Sequence, residues 1–269
     1  DFYMFSKGPD FLLDFPESRF SPRFDPFLYH CKQLFSESAL ASTWEALRRK
    51  TSGFVPEAQS SYGFYNPRIP EGVSQRDLFD RTLRIMGAGY SLQSVDPALV
   101  EQLRTVVRTC RDHNIGLKIA ILPVHALDLE LLYADGRWAE FEAWKTSLAR
   151  ILAEEGVEER FPLWDFTGYA GPAAEPVPPA GDTNTRMRYY FENSHFTPLL
   201  GGQILDALCG SPTNQLGAKL TCGTVKEHLA RILEDRVAFA RTQPAEVEWI
   251  QQILSEVSKK RKPLQVGAR

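Results

Sequence analysis

The sequence has no apolar run long enough to cross a bilayer and no charged-then-apolar leader at its start. It has four cysteines, Cys31, Cys110, Cys209 and Cys222, and none stands at the close spacing of a zinc ribbon or a dithiol redox motif. Buried or free thiols are expected, although Cys209 and Cys222 are near enough to close a small loop in an oxidising compartment. Among the five histidines no two stand at metal-ligand spacing, which sets a metal hydrolase aside. Neither a metal nor a cofactor is expected. The net charge of -3 lacks the excess of one sign that a polyanion binder needs, so no nucleic-acid partner is expected. No internal repeat is present. What remains is ordinary for a globular protein: 269 residues, 43% hydrophobic and 24% charged, enough for one large domain or two small ones.

The chain begins at Asp1, not Met, inside the aromatic run Asp1–Phe5, which reads as a strand. A start inside a strand suits a processed product or a fragment whose earlier residues are missing. Phe11, Phe15, Phe20, Phe24 and Phe27 read either as core or lid, or as a membrane- or substrate-facing surface. Residues 25–36 and 38–50 look helical, with Leu40, Trp44 and Leu47 as an apolar stripe. In the loop over 51–73, Tyr62, Phe64 and Tyr65 either line a glycan or lipid groove or decorate a surface.

Helices are expected over 74–87 and from Pro97 to about Asn114, with Gly116 ending the second. Residues 117–124 are continuously apolar, the pattern of a parallel, central strand covered on both faces. His125 follows at its outgoing edge, where ligands bind, and is either a substrate or oxyanion contact or a ring packed on the next helix. His30, His113 and His228 read as surface or packing residues. A short helix over 128–133 and a turn at Asp135-Gly136 precede a stripe from Trp138 to Leu152 that reads as core. The strand over 161–166 carries Asp165 near its end, either to help hold a catalytic histidine or to cap the loop backbone. The Gly- and Pro-rich residues 167–185 suggest an active-site flap. Residues 224–241 and 245–260 read as a helical hairpin, and Lys259–Lys262 as a solvated basic end or a contact with an acidic membrane surface.

Chemistry concentrates in Arg186–Phe196, where polar residues lie between aromatics just before Thr197-Pro198 and an apolar helix. Thr197 suits the N-cap and Pro198 the first helical position. Glu192 stands three residues before His195, so it can hold one ring nitrogen and leave the other free as a base. Arg186 and Arg188 either bind an anionic sugar or acyl donor or pair with Glu192. Tyr189 and Tyr190 flank them.

Phe191-Glu192-Asn193-Ser194-His195-Phe196 resembles the last sequence block of SGNH (GDSL-like) hydrolases, with Glu where most members have Asp. Together with Trp164–Tyr169, it resembles a bacterial branch related to the polysaccharide O-acetylation proteins of alginate export. The resemblance covers roughly residues 1–210 and rests on one short motif. It implies a three-layer α/β sandwich with a mostly parallel, flavodoxin-like sheet, here incomplete at its N-terminus, over 1–210. A helical hairpin appendage would occupy 211–269. It also implies an esterase or O-acyltransferase acting on a cell-surface glycan or related ester. By the resemblance His195 would be the base and Glu192 its orienting acid; His125, Arg188, Tyr189 and Asp165 are the substrate-side candidates read from the residues themselves. An extracytoplasmic or membrane-associated location, through a preceding anchor, is implied as well. The family's nucleophile lies in a Gly-x-Ser block near the start of the domain, after its first strand; no such block is found in that place here, so the chain is expected to be inactive or weak alone. The alternative is a non-catalytic glycan-binding or structural module.

Overall fold

A computed structural model of the chain describes residues 69–88, 97–210 and 216–260, with Asp25, Phe27, Thr43, Trp44, Leu47 and Arg48. The chain divides into two compact units, and residues 8–68 form the smaller. In that unit the Asp25 carboxylate accepts the Phe27 N–H at 2.9 Å, and Trp44 and Leu47, expected on an apolar stripe, are exposed. The strand expected over Asp1–Phe5, the aromatic connection and most of the 51–73 loop lie outside the described residues.

The larger unit carries helices α1 (Gln75–Ala88), α2 (Pro97–Asp112), α3 (Ala126–Ala134), α4 (Trp138–Glu154), α5 (Pro198–Leu208), α6 (Val225–Thr242) and α7 (Pro244–Lys260). Between them run strands β1 (Ile119–Ile121), β2 (Leu163–Asp165) and β3 (Ala218–Leu220). The protein is therefore α/β, with a small mixed sheet in the order β1-β2-β3. Strands β1 and β2 are parallel, with Ile119 opposite Leu163, and β3 is antiparallel to β2, with Leu220 opposite Leu163. Among the described residues no helix is long and apolar enough to cross a membrane.

Three expectations about the sheet need correction. The strand at 117–124 is parallel to its neighbour but lies at the edge of the described sheet, and β2 is central. With an outer side that no described strand covers, Ile119 and Ala120 are only half-buried and Leu122 is exposed. The ladder is also shorter than its apolar run. It stops after Phe166 N–H reaches Ile121 O at 3.0 Å, just before Pro123, which has no N–H to offer. Finally, the sheet is mixed, not mostly parallel. β3 has three residues and a single buried side chain, Leu220, too little pattern to announce a strand. Gly217 leads into it at φ +77°. A Cβ there would come within 2.6 Å of the Phe166 ring, so only glycine fits.

The helix ends follow local chemistry. Helix α2 is closed by Asn114 at φ 53°, not by Gly116. Ile115 N–H bonds back to Cys110 O at 2.7 Å and Asn114 N–H to Arg111 O at 3.2 Å, the paired bonds of a Schellman closure. Gly136 and Gly156 close α3 and α4 in the same way.

The core forms where the helices meet. Trp144, Leu148, Ile151 and Leu152 of α4 are buried, as the stripe predicts, with Phe79 and Leu83 of α1 and Ile250 and Ile253 of α7. The C-terminal hairpin belongs to the same compact unit: α7 packs on α1 and α3, and α6 on α4 and β3. Helix α3 lies inside, with every residue from Ala126 to Leu132 buried, Asp128 and Glu130 included. Buried acids need partners. Glu130 has Arg236 of α6, which reaches both its oxygens at 2.7 and 2.9 Å and lies over the Tyr133 ring at 3.4 Å.

Candidate functional site

Residues 189–197 form a tight hairpin, a more defined shape than the loop expected. Tyr190 and Phe196 pair as an antiparallel bridge. Phe191 N–H reaches His195 O at 2.9 Å, and Thr197 N–H reaches Tyr189 O at 2.8 Å. Thr197 does precede α5, with Pro198 at the first helical position, but its hydroxyl leaves the helix uncapped and donates to Arg188 O at 2.8 Å.

The hairpin tip brings Glu192 and His195 together. The imidazole Nδ1 is bonded to Glu192 Oε1. Glu192 is buried, and the His195 side chain is 78% exposed. Ser194 adds two bonds to the same carboxylate, from its N–H at 3.1 Å and its hydroxyl at 2.9 Å. With Nδ1 engaged as donor, Nε2 keeps a lone pair, and no described residue bonds to it.

Several residues that sequence reasoning left without a role hold this tip. The Gln75 amide of α1 donates to Tyr190 O at 2.5 Å and Phe191 O at 3.1 Å, and accepts the Met187 N–H at 2.8 Å. Asn193 is wholly buried. Its carbonyl accepts the His125 N–H at 2.8 Å, its amide donates to Asp128 Oδ1 at 3.0 Å, and its side-chain oxygen accepts the Thr82 hydroxyl. Asn193 stood inside the motif. Asp128 had a weaker signal, an acid in the nearly all-apolar segment Ala126–Ala134.

Beside the tip opens a cavity of about 370 Å³. His195, Ser194, Phe196 and Asp128 line it, with an apolar wall that includes Leu132, Phe141 and Trp144. Burial, with the Glu192 charge nearby, pushes the Asp128 carboxyl up to about 7, against the lowering effect of its bond from Asn193.

The other expected site residues lie elsewhere. His125 is the packed ring of the two readings. Its Nδ1 caps α3 by accepting the Leu127 N–H at 3.2 Å, and its Nε2 donates to Glu175 O at 2.7 Å. The ring meets Phe79 and Tyr190 edge-on, and burial lowers its pKa to about 4. Asp165 does cap the loop, accepting Thr167 N–H at 2.9 Å. The histidine it holds is His228, at 2.9 Å, and not His195. Lys145 completes that buried cluster at 2.5 Å, and its charge and the His228 bond overcome the strong upward push of burial, leaving Asp165 at about 2. His228, read as a packing residue, is thus a polar partner. This cluster borders a second cavity of about 490 Å³, and Pro123 and Thr167 line both cavities.

Arg188 is exposed and lies over the Tyr189 ring at 5.3 Å, and neither residue is among those lining the cavities. Glu192 pairs with neither Arg186 nor Arg188. The 167–185 segment is pinned: the Glu175 carboxylate accepts the N–H groups of Arg188 at 2.5 Å and Tyr189 at 2.8 Å, while its carbonyl takes His125. Val177 and Pro178 are buried. Cys110, Cys209 and Cys222 are free thiols. Comparison of the chain with protein-family models, with curated proteins and with solved structures returned no match.

Proposed function

We propose that Glu192 and His195 are the base half of an SGNH-type ester-hydrolysing or acyl-transferring site, acting on a cell-surface glycan or related ester. In this reading the mixed sheet is the C-terminal part of a three-layer, flavodoxin-like sandwich. One observation carries it: an exposed imidazole is tied through Nδ1 to a buried carboxylate and borders an open cavity. Such a pair fixes the tautomer, so Nε2 can take a proton from an attacking hydroxyl while Glu192 stabilises the imidazolium. The apolar wall suits an acyl group better than a sugar ring.

Ser194 is a poor nucleophile in this scheme. Its hydroxyl sits beside Nδ1, at 3.1 Å, and donates to Glu192, on the far side of the ring from the free nitrogen. The Thr167 hydroxyl is engaged by Lys145 and Asp165. Neither hydroxyl is therefore assigned as the acyl acceptor, and water can serve as the attacking hydroxyl in hydrolysis. The glycan-binding alternative loses Tyr190, which is wholly buried; Tyr62, Phe64 and Tyr65 lie outside the described residues.

The test is hydrolysis of para-nitrophenyl acetate by the chain. Slow turnover is expected, and His195→Ala should lower it roughly 100-fold or to the buffer rate. Turnover by His195→Ala equal to that of the unaltered chain refutes the assignment.

A further inference from the structure

We propose that the Asp128 carboxyl is the hydrogen-bond donor that meets the carbonyl oxygen of an ester held in the His195 cavity, a role that rests on the base assignment above. Two geometric facts carry it. Asp128 borders the same cavity as His195 although its side chain is buried, so an ester carbonyl turned toward the cavity floor meets it. Only one of its oxygens is occupied, by the Asn193 amide at 3.0 Å, and the other has no partner among the described residues. That oxygen can carry the proton.

Electrostatics favour the protonated form. Glu192 on the hairpin is the charged group that acts on Asp128 and disfavours a second carboxylate beside it. Tyr190 on the same hairpin is also within electrostatic reach. Helices α1 and α4 bring Met86, Phe141 and Trp144 to the cavity, and none carries charge. A carboxylic acid kept neutral in an apolar site can donate to an oxygen that gains negative charge.

The step needs only the ester and the attacking hydroxyl. Nε2 of His195 takes a proton from the attacking hydroxyl, which in hydrolysis is water. The new C–O bond forms at the carbonyl carbon, and the carbonyl π pair moves onto its oxygen, which receives the Asp128 hydrogen bond. When the tetrahedral adduct collapses, the bond to the leaving alcohol breaks and the alcohol takes the proton from Nε2.

The donor is present below its pKa and lost above it, so hydrolysis should fall as pH rises through about 7. Three variants of the full chain test this with para-nitrophenyl acetate. Asp128→Ala should lower kcat/KM roughly 100-fold. Asp128→Asn can still accept from Asn193 through its oxygen and donate through its amide at any pH. It should therefore abolish the alkaline fall, a change that a merely structural role would not produce. If Asp128→Ala is as fast as the unaltered chain, or Asp128→Asn keeps the alkaline fall, the donor role is overturned while the base assignment stands. If His195→Ala is as fast as the unaltered chain, or the unaltered chain is no faster than buffer, the base assignment fails and takes the donor role with it.

Discussion

His125 and Asp128 lie three residues apart in one buried turn, and burial acts on them with opposite signs. His125 favours its neutral form, with its pKa lowered from 6.5 to about 4. Its contribution to stability is complete above pH 6.5 and is lost as pH falls toward 4, an effect of about 3 kcal/mol. Asp128 also favours its neutral form, but for a carboxyl that stability is complete below 3.8 and is lost as pH rises toward 7. Between pH 4 and 6.5 the two slopes oppose each other, so the unaltered chain should change little in urea stability. His125→Asn, which keeps a helix-capping oxygen, should lose stability as pH rises across that window, and Asp128→Asn should gain it. Parallel profiles for all three proteins would contradict this account. The Glu192–His195 pair was legible because three residues across one tight turn is a local relation. Asp128 was not, because its partner Asn193 is remote in sequence.

At the scale of elements, the hairpin at 189–197 is held from a helix more than a hundred residues earlier. Gln75 satisfies two carbonyls of the hairpin and the N–H of Met187 just before it. Gln75→Ala leaves those groups unpaired and should cost about 2–4 kcal/mol in urea unfolding. It should also speed hydrogen exchange at the Phe191 and Thr197 amides, which close the hairpin. Unchanged exchange there would show that the tip holds itself. Nothing around Gln75 in the sequence marks it, since a polar residue in the first turn of an amphipathic helix looks like any solvated one. The long helices were legible from their stripes. Strands three residues long were placed only roughly, because pairing partners and not side-chain pattern set their ends.

Across the whole molecule, Arg236 ties the C-terminal hairpin to the buried helix α3. Arg236→Met would leave Glu130, 1% exposed at its side chain, as an unpaired charge. The expected loss is about 3–5 kcal/mol, read as a lower urea midpoint, and adding Glu130→Met should restore much of it. No restoration in the double variant would argue that Arg236 matters through its stacking on Tyr133. The expectation of a hairpin appendage was natural from a stretch rich in turn residues before α6. What it lacked was the reason for Glu130, an acid on a helix with no solvated face. Pro123 and Thr167 border both cavities, and neither has much freedom to bend. The proline ring fixes its own backbone, and the threonine hydroxyl is clamped between Lys145 and Asp165 at 2.6 and 2.8 Å. The two hollows thus share a partition at these two residues, one braced by a ring and the other by a buried ion pair.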